Sequence, residues 1–233
     1  MFAKFASCIN DFSHLFFPHN CLGCYSDVLS NEHFLCAECF SRLPETGFFK
    51  HANNAMEKIF YGRIPVLQAG CAFYFNDHSM LHRLVLQLKY RGRKDIGHYL
   101  GKLMRNQLLE SARFDHLDAV IALPLNKAKE MKRGYNQSAI LAEKIAESLH
   151  IPLLENVIER KFFTESQTTK NRVARWENMQ NIFSVTDSES LENKHILLVD
   201  DIITTGATLE GCGMEILKCK GTSLSIATLA FTI

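Results

Sequence analysis

The stretch from His195 to Leu217 narrows the folds open to this chain more than any other. Ile196, Leu197, Leu198 and Val199 form a continuous apolar run, as a strand buried on both faces requires. Asp200 and Asp201 follow at once. A threonine- and glycine-rich turn comes next, and then an apolar-periodic segment from Leu209 to Leu217 that predicts a helix. Carboxylates at the end of a buried strand accept hydrogen bonds from neighbouring hydroxyls. The turn after them offers threonine hydroxyls and backbone N–H groups at a helix N-terminus, where an anion is favoured. Gly206 lacks the side chain that would keep a phosphate from the backbone.

A ligand with a vicinal diol at one end and a phosphate at the other fits this layout, which describes a ribose 5-phosphate. The same residues also admit a plain strand–turn–helix in which Thr208 is the N-cap and the acids are solvated. A receiver domain, too, has a strand ending in paired acids, but near its start, whereas this pair lies near the chain's end.

Earlier segments extend the pattern. Residues 66–75 predict a strand, and Met80, Leu81, Leu84, Val85 and Leu88 mark an amphipathic helix closed by Lys89 to Gly92. Ile96, Leu100, Leu103 and Leu108 predict another helix. A second buried strand, 118–124, leads into a basic loop holding Lys127, Lys129, Lys132 and Arg133, and a helix follows through Ile140, Leu141, Ile145 and Leu149. The last strand is 223–231. Strands alternating with helices imply an α/β fold, a mainly parallel sheet with flanking helices, whose ligands bind beyond the carboxyl ends of the strands. If 118–124 and 195–199 are sheet neighbours, their charged loops meet over one pocket. The linker from Pro44 to Pro65 shows no clear periodicity.

At 233 residues, 47% apolar and 22% charged, the chain suits one medium globular domain with a small attachment. The expected division is 1–50 and 51–233. A net charge of +1 argues against a chain that binds nucleic acid throughout. The charge is nevertheless uneven, and 83–105, 127–133 and 160–175 are basic. No run of roughly 18 or more apolar residues predicts a membrane span. Phe2, Phe5, Ile9, Phe12 and Phe16 stand at helical spacing without the apolar core or cleavage site of a signal peptide. They predict an amphipathic helix docked on the body of a cytoplasmic protein.

Four of the eight cysteines form two CxxC units, Cys21/Cys24 and Cys36/Cys39, separated by eleven residues. Each unit directs two sulfurs at one point, and together they complete a tetrahedron around a structural Zn2+. The competing reading, two disulfides of a secreted domain, conflicts with the missing export signal. Cys8, Cys71, Cys212 and Cys219 sit in apolar surroundings and read as small core residues.

The acid pair and its loop resemble the phosphoribosyl pyrophosphate (PRPP) motif of type I phosphoribosyltransferases. By that resemblance Asp200 and Asp201, the catalytic candidates, face the ribose diol, and Thr204, Thr205, Gly206, Ala207 and Thr208 line the 5-phosphate. A narrower resemblance rests on Arg133 to Gln137 followed by Leu141 and Ala142, which is similar to the RGFNQ…LA signature of the ComF/GntX family. Gln167, Arg175, Asn178 and Phe183 match that family's later spacing, and the CxxC units and Lys89 to Gly92 occur in its order. Tyr135 replaces the usual phenylalanine and keeps the aromatic face.

This resemblance implies a phosphoribosyltransferase-like domain behind an N-terminal zinc ribbon, with PRPP bound alongside Mg2+. It places the segment after Pro124 at the pyrophosphate loop and residues 159–183 at a mobile lid. Lys127, Lys129, Arg133, Asn136, Gln137, Gln167 and Arg175 are the pyrophosphate and lid candidates. Guanidinium groups suit phosphate, whereas each amide serves a ligand or its own backbone equally well. Trp176 suits stacking on a base or packing a lid. The family is associated with natural competence, which implies single-stranded DNA and DNA uptake proteins as partners. Three readings stay open: an enzyme that transfers phosphoribose, a DNA-binding module with a regulatory PRPP site, and a ribbon that docks other proteins. No residue stands out as a general base for an acceptor.

Overall fold

The computed structural model describes residues 20–27, 34–77, 79–161 and 182–233. In chain order its elements begin with α1 (Ala37–Ser41), α2 (Ala55–Phe60), β1 (Gln68–Phe75), α3 (Met80–Tyr90) and α4 (Lys94–Leu109). There follow β2 (Ala119–Ala122), α5 (Lys127–Arg133), α6 (Gln137–Leu149), β3 (Ile158–Arg160) and β4 (Phe183–Val185). The chain closes with β5 (His195–Ile203), α7 (Ala207–Ile216) and β6 (Ser223–Thr232). The predicted N-terminal helix with Cys8 lies outside the described residues, as do Gln167, Arg175, Trp176 and Asn178.

Four strands form a parallel sheet in the order β1-β6-β5-β2, and β3 and β4 form a separate antiparallel ribbon. The 118–124 and 195–199 strands are therefore neighbours, as the meeting of their loops requires. Alternation along β5 divides the core. Leu197 and Val199 join a cluster with residues of α3, α4 and α6, while Ile196 and Leu198 join one with α2 and α7. Each such fully buried leucine contributes about 2 kcal/mol. Helices on both faces explain why β5 reads as an unbroken apolar run.

Close packing of α4 on α6 depends on Gly97 and Gly101, one turn apart. A Cβ on Gly97 would stand 2.9 Å from Ile140 Cγ2, and one on Gly101 would stand 3.1 Å from Lys144 Cβ. Their absence lets α6 settle with its first turn against the end of β5.

Two segments differ from expectation. The 44–65 linker is not featureless: Glu45 bridges to Phe73, and α2 buries Met56, Glu57 and Phe60. Asn54 caps α2 by accepting from Glu57 N at 3.0 Å, and Glu57 Oε2 accepts from Asn53 N at 2.6 Å. Glu57 thus reaches back to the residue before the cap, a variant of the capping box, legible as Asn-x-x-Glu. The chain thus touches the sheet from Glu45 onward. The basic loop after Pro124 is in fact the helix α5, because Asn126 Oδ1 accepts from Ala128 N at 3.0 Å and starts it. Cys71, Cys212 and Cys219 are buried as expected.

Candidate functional site

Asp200 and Asp201 lie near the carboxyl end of β5, buried rather than solvated. The start of α6 reaches them because Asn136 ties it to the neighbouring strand. Asn136 Nδ2 donates to Leu123 O at 2.9 Å, and its Oδ1 accepts from Ser138 N at 3.0 Å. Ser138 Oγ then donates to Asp200 Oδ1 at 2.8 Å, which also accepts from Asp201 N at 2.8 Å. Burial, and next the charge of Asp201, push the Asp200 carboxyl up to about 7 in spite of the Ser138 bond. Asp201 is held differently. Lys89, in the last turn of α3, places its Nζ 2.7 Å from Asp201 Oδ2, while Asp201 Oδ1 accepts from Ile202 N at 2.8 Å.

Beyond the acids the chain turns through Thr204 and Thr205 into α7. Gly206 is the N-cap at φ 74°, and a Cβ there would stand 2.6 Å from Ile59 Cγ2 of α2. Thr208 is therefore in the first turn of the helix and is not its cap. Thr204, Thr205, Ala207 and Thr208 are exposed. Gly206 has no side chain to cap α7; Ala207 N donates to Thr205 Oγ1 at 3.4 Å, and the helix end carries the positive pole of its dipole. Arg63 steadies the turn, donating to Thr205 O at 3.0 Å and pairing with Glu210.

The cationic candidates divide. Lys129 and Arg133 line a cavity of about 430 Å³ together with Lys89, Tyr90, Gly92 and Lys132. The Arg133 guanidinium lies 5.8 Å from the Tyr90 ring centroid and donates to Gln137 Oε1. Lys127 lines a different cavity of about 220 Å³, with Pro124, Glu130 and Arg160 among its walls. Asn136 has both ends of its amide engaged by backbone, which favours a structural role over a ligand role. Gln167 and Arg175 lie outside the described residues. Sequence reasoning assigned no site role to Lys89 or Ser138. Lys89 opens the Lys89 to Gly92 stretch that matches the family, but nothing local identified its partner.

The four clustered cysteines place their Sγ atoms within 4.8 Å of one another. Cys21 Sγ accepts from Gly23 N at 3.3 Å and from Cys36 N at 3.2 Å, and Cys36 Sγ accepts from Cys39 N at 3.5 Å. Burial, followed by the neighbouring sulfurs, pushes the Cys39 thiol up to about 12. Such a donor set is compatible with a structural zinc site, since a cation relieves that repulsion. The cluster is joined to the body: Arg83 of α3 donates to the carbonyls of Leu22 and Gly23, and Cys21, Leu35 and Cys39 share a core with α3 and α4.

Comparison with known proteins agrees with this architecture. The profile of the phosphoribosyl transferase domain matches residues 136–232, from the cap of α6 through β6. Competence protein F of Haemophilus influenzae is 27% identical over 194 residues, covering 81% of this chain and 80% of that protein. DNA utilization protein YhgH of Escherichia coli O157:H7 is 28% identical, covering 66% of this chain and 68% of the relative. Competence protein ComFC of Bacillus subtilis is 30% identical, covering 67% and 61% respectively. The parallel α/β phosphoribosyltransferase-type fold, the cysteine cluster and these relatives together support the ComF family for this chain.

Proposed function

We propose that this protein binds PRPP and acts as a phosphoribosyltransferase-type protein of DNA uptake in the cytoplasm. One observation carries the reading: a buried acid pair at the end of β5 runs directly into an uncapped, glycine-led helix N-terminus. Asp200 and Asp201 accept hydrogen bonds from the ribose hydroxyls. The N–H groups opening α7, with Thr204, Thr205 and Thr208, take the 5-phosphate. Lys129, Lys132 and Arg133 neutralise the pyrophosphate, with Gln137 steadying Arg133 and Lys127 outside this group. Magnesium brought in with PRPP would supply further charge neutralisation beside these cations. Cys21, Cys24, Cys36 and Cys39 would hold a structural zinc ion, which would fix the local fold of the ribbon. The DNA link rests on the names borne by the relatives.

Calorimetric titration with PRPP and magnesium tests the reading, with AMP and ribose 5-phosphate as controls. PRPP should bind, and the double substitution Asp200→Ala/Asp201→Ala should abolish binding; failure of all three ligands to bind would sink it. Release of pyrophosphate in the presence of an acceptor separates an enzyme from a sensor.

A groove beside this site favours a second reading, a surface for single-stranded DNA. Tyr25, Leu86, Tyr90 and Arg91 line about 330 Å³ between the ribbon and α3, and both tyrosines are largely exposed. Exposed rings next to cations stack bases and attract phosphates. Single strands should bind with a steep salt dependence, and Arg91→Glu should weaken them more than Arg93→Glu, because Arg93 is already paired with Asp95 at 2.7 Å.

A further inference from the structure

We propose that Lys89 is a displaceable counter-ion that makes the site selective for ligands carrying a pyrophosphate over ligands carrying the sugar phosphate alone. The inference rests on the PRPP reading of the acid pair and names what sets its specificity. Lys89 does two things at once. Its ammonium pairs with Asp201 Oδ2 at 2.7 Å, and its side chain lines the cavity shared with Lys129, Lys132 and Arg133. Among the described residues Lys129 and Lys132 enter no ion pair, so that cavity collects positive charge without an anion to meet it.

A ribose diol reaches Asp201 only by taking the place of the ammonium. Neutral hydroxyls compensate a buried carboxylate less well than a cation does, and the displaced Lys89 joins three other cations. A sugar phosphate alone therefore binds against an opposing cost. A pyrophosphate on the anomeric carbon removes the cost, because it fills the cationic cavity and gives Lys89 a new partner in the space its side chain already lines. The two halves of the ligand are thus read together. The arrangement also explains why a lysine stands there, since its single compact charge on a flexible stem exchanges partners readily.

The affinities of the unaltered protein, Lys89→Gln and Lys89→Arg for PRPP and for ribose 5-phosphate, each with magnesium, test the proposal. The unaltered protein should prefer PRPP. Lys89→Gln should shrink that preference by about tenfold or more, the worth of one charge-assisted hydrogen bond, by weakening PRPP while sparing or tightening ribose 5-phosphate. Lys89→Arg should restore most of it. An unchanged preference in a folded Lys89→Gln protein overturns the role of Lys89 and leaves the site reading intact. If the unaltered protein binds neither ligand, the site reading itself fails and this one with it. Should Lys89→Gln not fold, a crystal structure of the unaltered protein with PRPP and magnesium decides: Lys89 on the pyrophosphate supports the proposal, and Lys89 still on Asp201 refutes it.

Discussion

Ser138 Oγ lies 2.8 Å from Asp200 Oδ1, so the first turn of α6 holds the acid at the end of β5. The bond favours the ionised carboxyl against the burial that opposes it. Ser138→Ala should therefore raise the Asp200 pKa further. It should also lower stability by about 1–3 kcal/mol, the cost of leaving a buried polar group unsatisfied. Denaturant unfolding at pH 8 and pH 5 checks both, because the loss should be larger at pH 8, where the carboxyl is ionised.

The raised pKa of Asp200 carries its own pH dependence. Between its usual value of 3.8 and about 7 the folded protein binds more protons at this group than the unfolded chain does. Stability from this group is thus highest below that window and falls as pH rises through it. Asp200→Asn cannot ionise. Its stability relative to the unaltered protein should improve from pH 5 to pH 8 by a few kcal/mol at most, on the order of 1.4 kcal/mol per pH unit across the window. A flat difference across that range would show that Asp200 is already ionised at pH 5.

Gly206 combines a left-handed backbone with contact against α2. Gly206→Ala strains φ and drives its Cβ into Ile59, so stability should fall by about 1–3 kcal/mol. Adding Ile59→Ala, which removes the Cγ2 methyl that the new Cβ would strike, should recover only the steric part. A double-mutant cycle in thermal or chemical unfolding measures the split, and complete additivity would mean that the two residues do not meet.

Zinc analysis should find about one ion per chain if four thiolates close one tetrahedral site. The Cys39 thiol, pushed up to about 12 by burial and the adjacent sulfurs, must give up its proton for metal to bind. Zinc affinity should therefore rise with pH, and uptake should release protons, which calorimetry in buffers of different ionisation enthalpy detects. Cys21→Ser should destabilise more than Cys24→Ser, because Cys21 is wholly buried and accepts two backbone N–H groups whereas Cys24 is exposed. Equal losses would place the ribbon's stability in the metal alone.

The elements nearest the site were legible wherever a short stretch of chain dictates its own structure. The apolar run of β5, the stripe of α3 and the two CxxC units each follow from spacing over a few residues, since side-chain periodicity and local hydrogen bonds are written within one turn or one strand. Helix α2 was hidden because its apolar face is short, although Asn54 and Glu57 marked its start. Helix α5 was mistaken for a loop because its lysines bury nothing and leave no periodic stripe.

What tertiary structure alone decided is which distant groups share a space. The order β1-β6-β5-β2 sets β2 beside β5, and only that adjacency lets Asn136, tied to Leu123 O, carry Ser138 to Asp200. The packing of α3 delivers Lys89 to Asp201, and that of α2 requires glycine at position 206. Such pairings depend on where whole helices come to rest against a sheet, a balance of burial and close packing summed over the core. No local pattern at Lys89 or Ser138 records that sum, whereas the acids and the bend that follows them carry their chemistry in adjacent residues.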